Sequence, residues 1–580
     1  MTITEALKVI QSAPRDGRPF SVTLACGFTP LHLQTFLTAH LQRALTDRKV
    51  TISTGLYGSL AGTLERIAGS APDGVVIALE WADLDPRLDF RSAGGWGWNV
   101  ATHIVSTARA VLDRVSAAIA LIPSGTRIAL SLPTLPLPPA FHTPGWEASA
   151  NELVLEADLL RFAANIAQDG RVTVGNRLRL SEESPEASRF DLKCDLYTGL
   201  PYTTRHADRL ASQLALALVP PTPKKGIISD LDDTLWCGIA GEVGSDGVCW
   251  DLTSRAHLHG LYQKLLSSLA EHGTLVGIAS KNDPATVTRA FDRKDLLLRP
   301  DQVFPIEVHW NAKSGSVSRI LDTWNIAADS VVFVDDSPME LAEVAAVHPG
   351  IECILFPKND HAAGLAMLRR LRDLCGKERV STDDTLRLKS IRERAAFHEQ
   401  SAGAATPEGF LARAEAEVTF DFASATEPRV LELVNKTNQF NLNGRRYTES
   451  DWRSLLARQG AIVVSVSYED KFGPLGTIAV IGGVMQGDLF AVETWVMSCR
   501  AFARRIEHQT LKVLFEGTGA SAVDFDFTPT AKNSPLQEFF AALLGEKPLA
   551  AFQLRRVQFD QNCPPLYHAV REMRRAEAHG

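Results

Sequence analysis

Six polar side chains of this 580-residue chain fall in four places, in an order that suits chemistry on an anionic group. Asp230 and Asp232 stand two apart at the end of the apolar stretch 226–231. Ser280 closes the run Thr274-Leu275-Val276-Gly277-Ile278-Ala279, and Lys313 lies in His309-Trp310-Asn311-Ala312-Lys313-Ser314. Asp335 and Asp336 follow Val331-Val332-Phe333-Val334. Carboxylates are hard oxygen ligands for a cation such as Mg²⁺, while an ammonium and a hydroxyl are donors suited to an anion. A lone Asp-x-Asp also describes an ordinary acidic turn, so the weight rests on all four pieces in order. Ser280 equally fits an N-cap for a helix opening at Asp283-Pro284, and the two roles are compatible.

The elements that must position these residues are strands. Three apolar runs that each end in polar residues place those residues at one edge of a parallel sheet, where open α/β folds keep their sites. Residues 1–219 alternate helical and strand-like patterns, as an α/β domain does. Leu31-His32-Leu33-Gln34-Thr35-Phe36-Leu37 reads as a helix start after Pro30. Gly74–Glu80 and Arg127–Leu132 read as buried strands, the second leading into the proline-rich 133–139. Val219–Lys225 reads as a linker, and a second α/β unit spans 220–380. A charged helical stretch, Thr385 to His398, and a small-residue break at Ser401–Ala405 fill 381–409. Residues 410–580 differ: alternating strands at Ala461–Tyr468 and Leu489–Trp495, then a helix near Ala501, indicate an α+β domain with an antiparallel sheet.

Bulk properties narrow the class. Hydrophobic content of 45% and charged content of 22% are those of a globular protein with large cores. A net charge of −8 disfavours nucleic acid as a partner. No apolar run is long enough for a membrane span, and the N-terminus has no signal-peptide pattern. The eight cysteines (Cys26, Cys194, Cys237, Cys249, Cys353, Cys375, Cys499, Cys563) form no CxxC pair. That pattern suits a reducing compartment, so a cytoplasmic location is expected.

Asp230-Leu231-Asp232-Asp233-Thr234 resembles the first motif of the haloacid-dehalogenase-like (HAD) phosphotransferases, and the later pieces match that family's remaining motifs. Gly238, Gly241-Glu242, Ala279-Ser280-Lys281-Asn282-Asp283, Trp310 with Lys313, and Phe333–Glu340 resemble its FkbH-like branch (subfamily IIIC). The resemblance implies a HAD-like parallel sheet with a minimal cap. It implies Asp230 as the nucleophile that forms an aspartyl phosphate, and Asp232 as general acid and base. Thr234, Ser280, Lys281 and Lys313 would hold phosphate. Mg²⁺ would be held by Asp230, the backbone carbonyl of Asp232 and Asp335, with Asp336 a direct or outer ligand. Neither the stretch from Asp230 to Ser280 nor that from Ser280 to Lys313 has room for a full cap domain. An open site of that kind suits a substrate presented on a larger body.

The resemblance extends along nearly the whole chain. Asn435–Leu442, Tyr468–Gly476, Ser498-Cys499-Arg500 and Thr530-Ala531-Lys532-Asn533 resemble the GNAT acyltransferase-like C-terminal part of the longer FkbH-like proteins, and Gly27-Phe28-Thr29-Pro30-Leu31 resembles their SGNH-hydrolase-like leading domain. FkbH-like proteins dephosphorylate a phosphorylated glyceryl donor and load the acyl unit onto an acyl carrier protein. The partners implied are a small phosphorylated substrate and such a carrier, whose phosphopantetheine arm supplies the thiol. Many relatives place a cysteine before the motif-two serine; here Ala279 stands there. Cys237 is then either a substitute acyl relay or a small buried hydrophobe.

In the C-terminal domain, Arg500-Ala501-Phe502-Ala503-Arg504-Arg505 stands where GNAT proteins bind the CoA pyrophosphate, with Ala503 in place of glycine. Its arginines bind phosphate directly or face solvent. Asn533 either contacts a pantetheine arm or serves a turn before Pro535. Tyr468, Glu469 and Asp470 form an acid/base group or shape a turn. The leading domain has Cys26-Gly27-Phe28-Thr29 instead of a Gly-Asp-Ser block and no clear Asp-x-x-His, while His103 and His142 are isolated. It is expected to bind rather than hydrolyse. The alternatives are a plain phosphatase of polysaccharide or secondary-metabolite biosynthesis, a GNAT-type acyltransferase with an ancillary HAD domain, and a non-catalytic scaffold whose sites only bind ligands, against which the intact set of Asp230, Asp232, Ser280, Lys313 and Asp335 argues.

Overall fold

In the computed structural model the chain forms two compact units, Met1–Thr222 and Pro223–Gly580. The residues described are all except 68, 70, 93–97, 139–143, 378–379, 381–383, 385–386, 394, 396–410, 438–439, 472, 499–500, 503, 531–532 and 574–580. The expected roles of His142, Cys499 and Arg500, and the expected break at Ser401–Ala405, lie outside the described residues.

Unit 1 holds one sheet of five strands: β1 (Arg18–Ala25), β2 (Arg48–Thr54), β3 (Gly74–Ala78), β4 (Arg127–Ser131) and β5 (Val172–Val174). The order is β2-β1-β3-β4-β5 and every pair is parallel. Parallel neighbours need crossover connections, supplied here by helices such as Leu31–Ala44 and Ala101–Ala120. The first begins directly after Pro30, which is its N-cap residue. Strand β3 is buried along its whole length, as its unbroken apolar run requires.

Just past β3, the buried carboxylate of Glu80 ties three segments together. It accepts hydrogen bonds from Thr134 Oγ1 (2.6 Å), the N–H groups of Thr134 (3.1 Å) and Leu135 (3.2 Å), and Tyr202 Oη (2.6 Å). His206 packs behind this knot between Thr134 Oγ1 (2.9 Å) and Ser184 Oγ (3.0 Å). Burial lowers its pKa to about 3, so the ring is neutral at ordinary pH. His103 is exposed and bonds Arg87. Replacing Tyr202 with Phe removes one O–H donor from a buried carboxylate. The expected cost is about 1.5–3 kcal/mol, read as a lower urea midpoint for the full chain.

Unit 2 contains two sheets. The first has β6 (Gly226–Ser229), β7 (Leu275–Ser280), β8 (Val303–Val308), β9 (Val331–Asp335) and β10 (Glu352–Leu355), all parallel, in the order β10-β9-β6-β7-β8. Strand β6 is central, with β9 on one side and β7 on the other. Helix Lys313–Trp324 packs on this sheet and inserts Trp324, whose indole N–H bonds the Phe304 carbonyl (2.7 Å).

The second sheet has seven strands: β11 (Glu417–Asp421), β12 (Ala461–Asp470), β13 (Gly473–Gln486), β14 (Leu489–Met497), β15 (Ala522–Phe525), β16 (Phe552–Arg555) and β17 (Ala569–Met573), in the order β16-β15-β14-β13-β12-β11-β17. The antiparallel expectation holds for four pairs and fails for two: β14–β15 and β11–β17 are parallel. The physical reason for the first is the helix Ile506–Thr518, a crossover that returns the chain in the same direction. That helix begins later than Ala501, because Arg505 takes a left-handed backbone (φ 59°) just before it. No described helix is long and apolar enough to cross a membrane.

Candidate active site

The site forms at the carboxyl ends of β6, β7 and β9. Asp230 follows β6, Ser280 ends β7 and Asp335 ends β9. Asp230 is pinned by its own N–H, which donates to the Val334 carbonyl of the neighbouring strand (3.0 Å). Lys313 opens its helix and is only 3% exposed. Its Nζ lies 2.9 Å from Asp230 Oδ1 and 2.7 Å from Asp335 Oδ2, and it also pairs with Glu340. Glu340 in turn reaches Lys281 (3.0 Å). Asp336 is joined to Asp233 through Lys358, whose Nζ is 2.9 Å from each carboxylate.

Burial and the neighbouring Asp230 carboxylate push Asp335 up to about 7, against the pull of Lys313. Asp230 is also raised by burial, opposed by Lys313 and by hydrogen bonds from the Leu231 N–H and Ser280. Five carboxylates (Asp230, Asp233, Asp335, Asp336, Glu340) thus face three ammoniums (Lys281, Lys313, Lys358). Fully ionised, the cluster carries two excess negative charges. Oxygens of Asp230, Asp335 and Asp336 lie within 4.8 Å of one another. Carboxylate oxygens with an unbalanced double charge fit a hard divalent cation such as Mg²⁺.

Asp232 points elsewhere. Its Oδ1 accepts from Trp236 Nε1 (2.9 Å) and the Ala240 N–H (3.1 Å), and its Oδ2 from Asn282 Nδ2 (2.9 Å). Burial raises its pKa. Its side chain is outside the carboxylate cluster, so a metal role for Asp232 falls to its backbone carbonyl. Thr234 is fully buried beneath Asp336, with Oγ1 3.5 Å from Asp336 Oδ1. Lys281 sits at the rim, held by Glu340, instead of beside Asp230. Cys237 is half-buried and forms an isolated antiparallel bridge with Cys249. Burial raises its thiol pKa, which reduces the thiolate available for acyl relay.

Three members of the cluster have no role expected from the sequence. Asp233 and Glu340 fall inside the motifs at 230–234 and 333–340, and Lys358, just after β10, is marked by no motif.

In the second sheet of unit 2, the described residues near the expected CoA run are already engaged. Arg504 is buried, 3.6 Å from Asp470 Oδ2 and over the Tyr468 ring, and Tyr468 Oη donates to Asp470 (2.9 Å). It therefore neither faces solvent nor offers itself to phosphate. Arg505 donates to the Pro565 carbonyl (2.9 Å). Asn533 is fully buried and spends its amide on the Asn441 and Thr528 carbonyls, and its carbonyl on the Thr530 N–H and Gln537. No donor or acceptor of Asn533 is left for a pantetheine arm. Strands β14 and β15 pair only as far as Val492 and Phe525. Beyond that, Phe440 and Leu442 bond the free edge of β14, through Met497 N–H to Phe440 O and Leu442 N–H to Trp495 O.

No family model matches the chain, and no curated protein matches it. Among solved structures, it is similar to the N-terminal part of protein BF1531 from Bacteroides fragilis, which contains a phosphatase domain and is complexed with Mg. That likeness has 19% identity and a TM-score of 0.48, and covers 63% of this chain and 98% of that one. An extracellular lipase from Streptomyces rimosus is similar at 14% identity and a TM-score of 0.24, over 34% of this chain and 100% of the lipase. Neither score is high enough to carry fold or activity across, so the functional reading rests on the site itself.

Replacing Lys313 with Met leaves Asp230 and Asp335 buried side by side without their ammonium. In EDTA the variant is expected to lose about 3–5 kcal/mol of stability. Added Mg²⁺ should raise its urea midpoint by more than it raises that of the parent.

Proposed function

We propose that unit 2 is a Mg²⁺-dependent phosphatase or phosphotransferase of the HAD type. The observation that carries this reading is the Lys313 ammonium set between Asp230 and Asp335 at the carboxyl edge of a parallel sheet, with Ser280 on the adjoining strand. Asp230, Asp335 and Asp336 would hold the cation, which when bound offsets the repulsion between carboxylate and phosphate ester. Asp230 attacks phosphorus, the bond to the leaving oxygen breaks, and an aspartyl phosphate forms. Asp232 gives its proton to that oxygen, then takes one from the water that cleaves the acyl phosphate. Its raised pKa suits a residue that must start protonated. Lys313 and Ser280 hold the phosphoryl oxygens as charge builds on them.

The finer reading is that dephosphorylation of a small acyl phosphate of glyceryl type is coupled to loading on an acyl carrier protein: the carrier thiol would attack the carbonyl carbon and displace the acyl-bound phosphate, while Asp230 would attack the phosphorus of a second, ester-bound phosphate on the same unit. The FkbH-like motifs support it, and so does an open site. The segment between Asp232 and the helix His257–Glu271 holds only one helix, the four-residue Ala240–Val243, too short for a cap domain. Exposed apolar side chains border that edge: Trp310 (74%), three residues before Lys313, and Met339 (80%), beside Glu340. Such a rim suits docking of a macromolecular partner. Arg504, Asn533 and the occupied edge of β14 lend no support to CoA-dependent transfer in the C-terminal region.

Phosphate release from an acyl phosphate with Mg²⁺ should fall to background in Asp230→Asn and by about 10²–10⁴-fold in Asp232→Asn. Undiminished turnover in Asp230→Asn contradicts the assignment. For the finer reading, a holo carrier protein incubated with enzyme and donor should gain an acyl-sized mass. Phosphate release without that gain leaves a phosphatase alone.

A further inference from the structure

Unit 1 has a cleft of its own. It opens among Gly27 and Phe28 after β1, Trp81 and Asp83 after β3, Phe90 and Phe190, and Asp195. Its place follows from topology. The chain runs from β1 to β2 on one side and then crosses to β3 on the other, so the loops after β1 and β3 part in opposite directions. Ligands of open parallel sheets bind at such a switch point.

The chemistry of the lining is unbalanced. Asp195 is only 6% exposed, no hydrogen bond to its carboxylate and no ion pair within 4 Å is found among the described residues, and the Arg91 charge acts on it from farther away. Lining the cleft with no hydrogen-bond partner in the protein, the carboxylate is open to a ligand. Asp83 accepts the Glu80 N–H (2.9 Å) and that of Gly27, and among the described residues no cation pairs with it. The backbone is fitted to keep it there: a Cβ on Gly27 would lie 1.9 Å from Asp83 Oδ1, so only glycine leaves room for the carboxylate. Burial lifts Asp83 to about 7, and burial with the nearby Asp89 lifts Asp195 to about 6 against the pull of Arg91. Arg91 is engaged by Tyr57, whose hydroxyl it bonds and whose ring it covers at 5.6 Å. The apolar part of the lining joins Leu88, Leu135, Pro136 and Pro201 to the aromatic pair Phe90 and Phe190, 5.0 Å between centroids. Among the described residues only Asp230, Asp335 and Asp336 bring three such ligand atoms within 4.8 Å of one another, and the carboxylates of this cleft form no group of that kind.

We propose that this cleft binds an ammonium group carried on a small organic body, with Asp195 and Asp83 as its anions and the aromatic pair as its second contact. Carboxylates and π faces both attract an ammonium, and desolvation strengthens both. The group could arrive on a free amine or on a lysine side chain, and the chemistry is the same for each.

The test is calorimetry on the full chain with three probes: 2-phenylethylammonium, Nα-acetyl-lysine methylamide, and the uncharged 2-phenylethanol. Saturable binding of at least one ammonium probe, about tenfold or more tighter than the alcohol, is expected. Whichever ammonium probe binds more tightly identifies the source. Asp195→Asn should weaken that binding about tenfold or more. It should melt no lower than the parent, because it removes a buried charge that has no partner. Asp83→Asn provides a second variant if Asp195→Asn is poorly folded. Equal binding of alcohol and ammonium, undiminished binding in both variants, or no binding of either ammonium probe overturns the proposal.

Discussion

A single buried ammonium sets the terms for unit 2. Lys313 Nζ stands between Asp230 and Asp335 and also reaches Glu340. Carboxylates this deep in a protein are too costly to leave unpaired, and two of them side by side would repel strongly at low dielectric. The lysine makes their proximity tolerable but does not neutralise it. On the proposed reading, that residual charge would suit the site to a divalent cation and, through it, to a phosphoryl group. The same pairs hold Lys313 still, so the donor is already placed where negative charge would build up.

Sheet order does the positioning. Because β6 lies between β7 and β9, the residues that end these strands meet without any loop having to reach across. Unit 1 uses the same geometry for a different lining. Its carboxyl edge carries carboxylates and aromatic rings where the other sheet carries carboxylates and lysines. One α/β plan thus presents different side chains at its carboxyl edge through the residues that follow its strands.

Much of this was legible in the sequence because apolar runs of strand length end where polar residues begin. The runs before Asp230, Ser280 and Asp335 form strands, and Pro30 precedes its helix. What the sequence concealed were partnerships set by three-dimensional packing. Lys358 meets Asp336 and Asp233 only because β10 lies beside β9 and brings the following turn near both. Glu340 became a partner of Lys313 through the start of the helix after β9. Asn533 was compatible with a ligand contact or a turn, and only its four internal bonds decide between them. Arg504 had the composition of a phosphate ligand, yet its burial beside Asp470 depends on β12, far away in sequence. The parallel β14–β15 pair was hidden because strand periodicity is the same in either direction.

The most direct measurement is peptide mapping of the Asp232→Asn variant, quenched in acid after brief exposure to Mg²⁺ and an acyl phosphate. With the general acid and base removed, the intermediate should form slowly and be hydrolysed more slowly still. A phosphoryl-sized mass gain confined to Asp230, and absent when EDTA replaces Mg²⁺, is the predicted result. Phosphate released with no label on Asp230, or a label carried elsewhere, would contradict the nucleophilic role on which the reading of unit 2 depends.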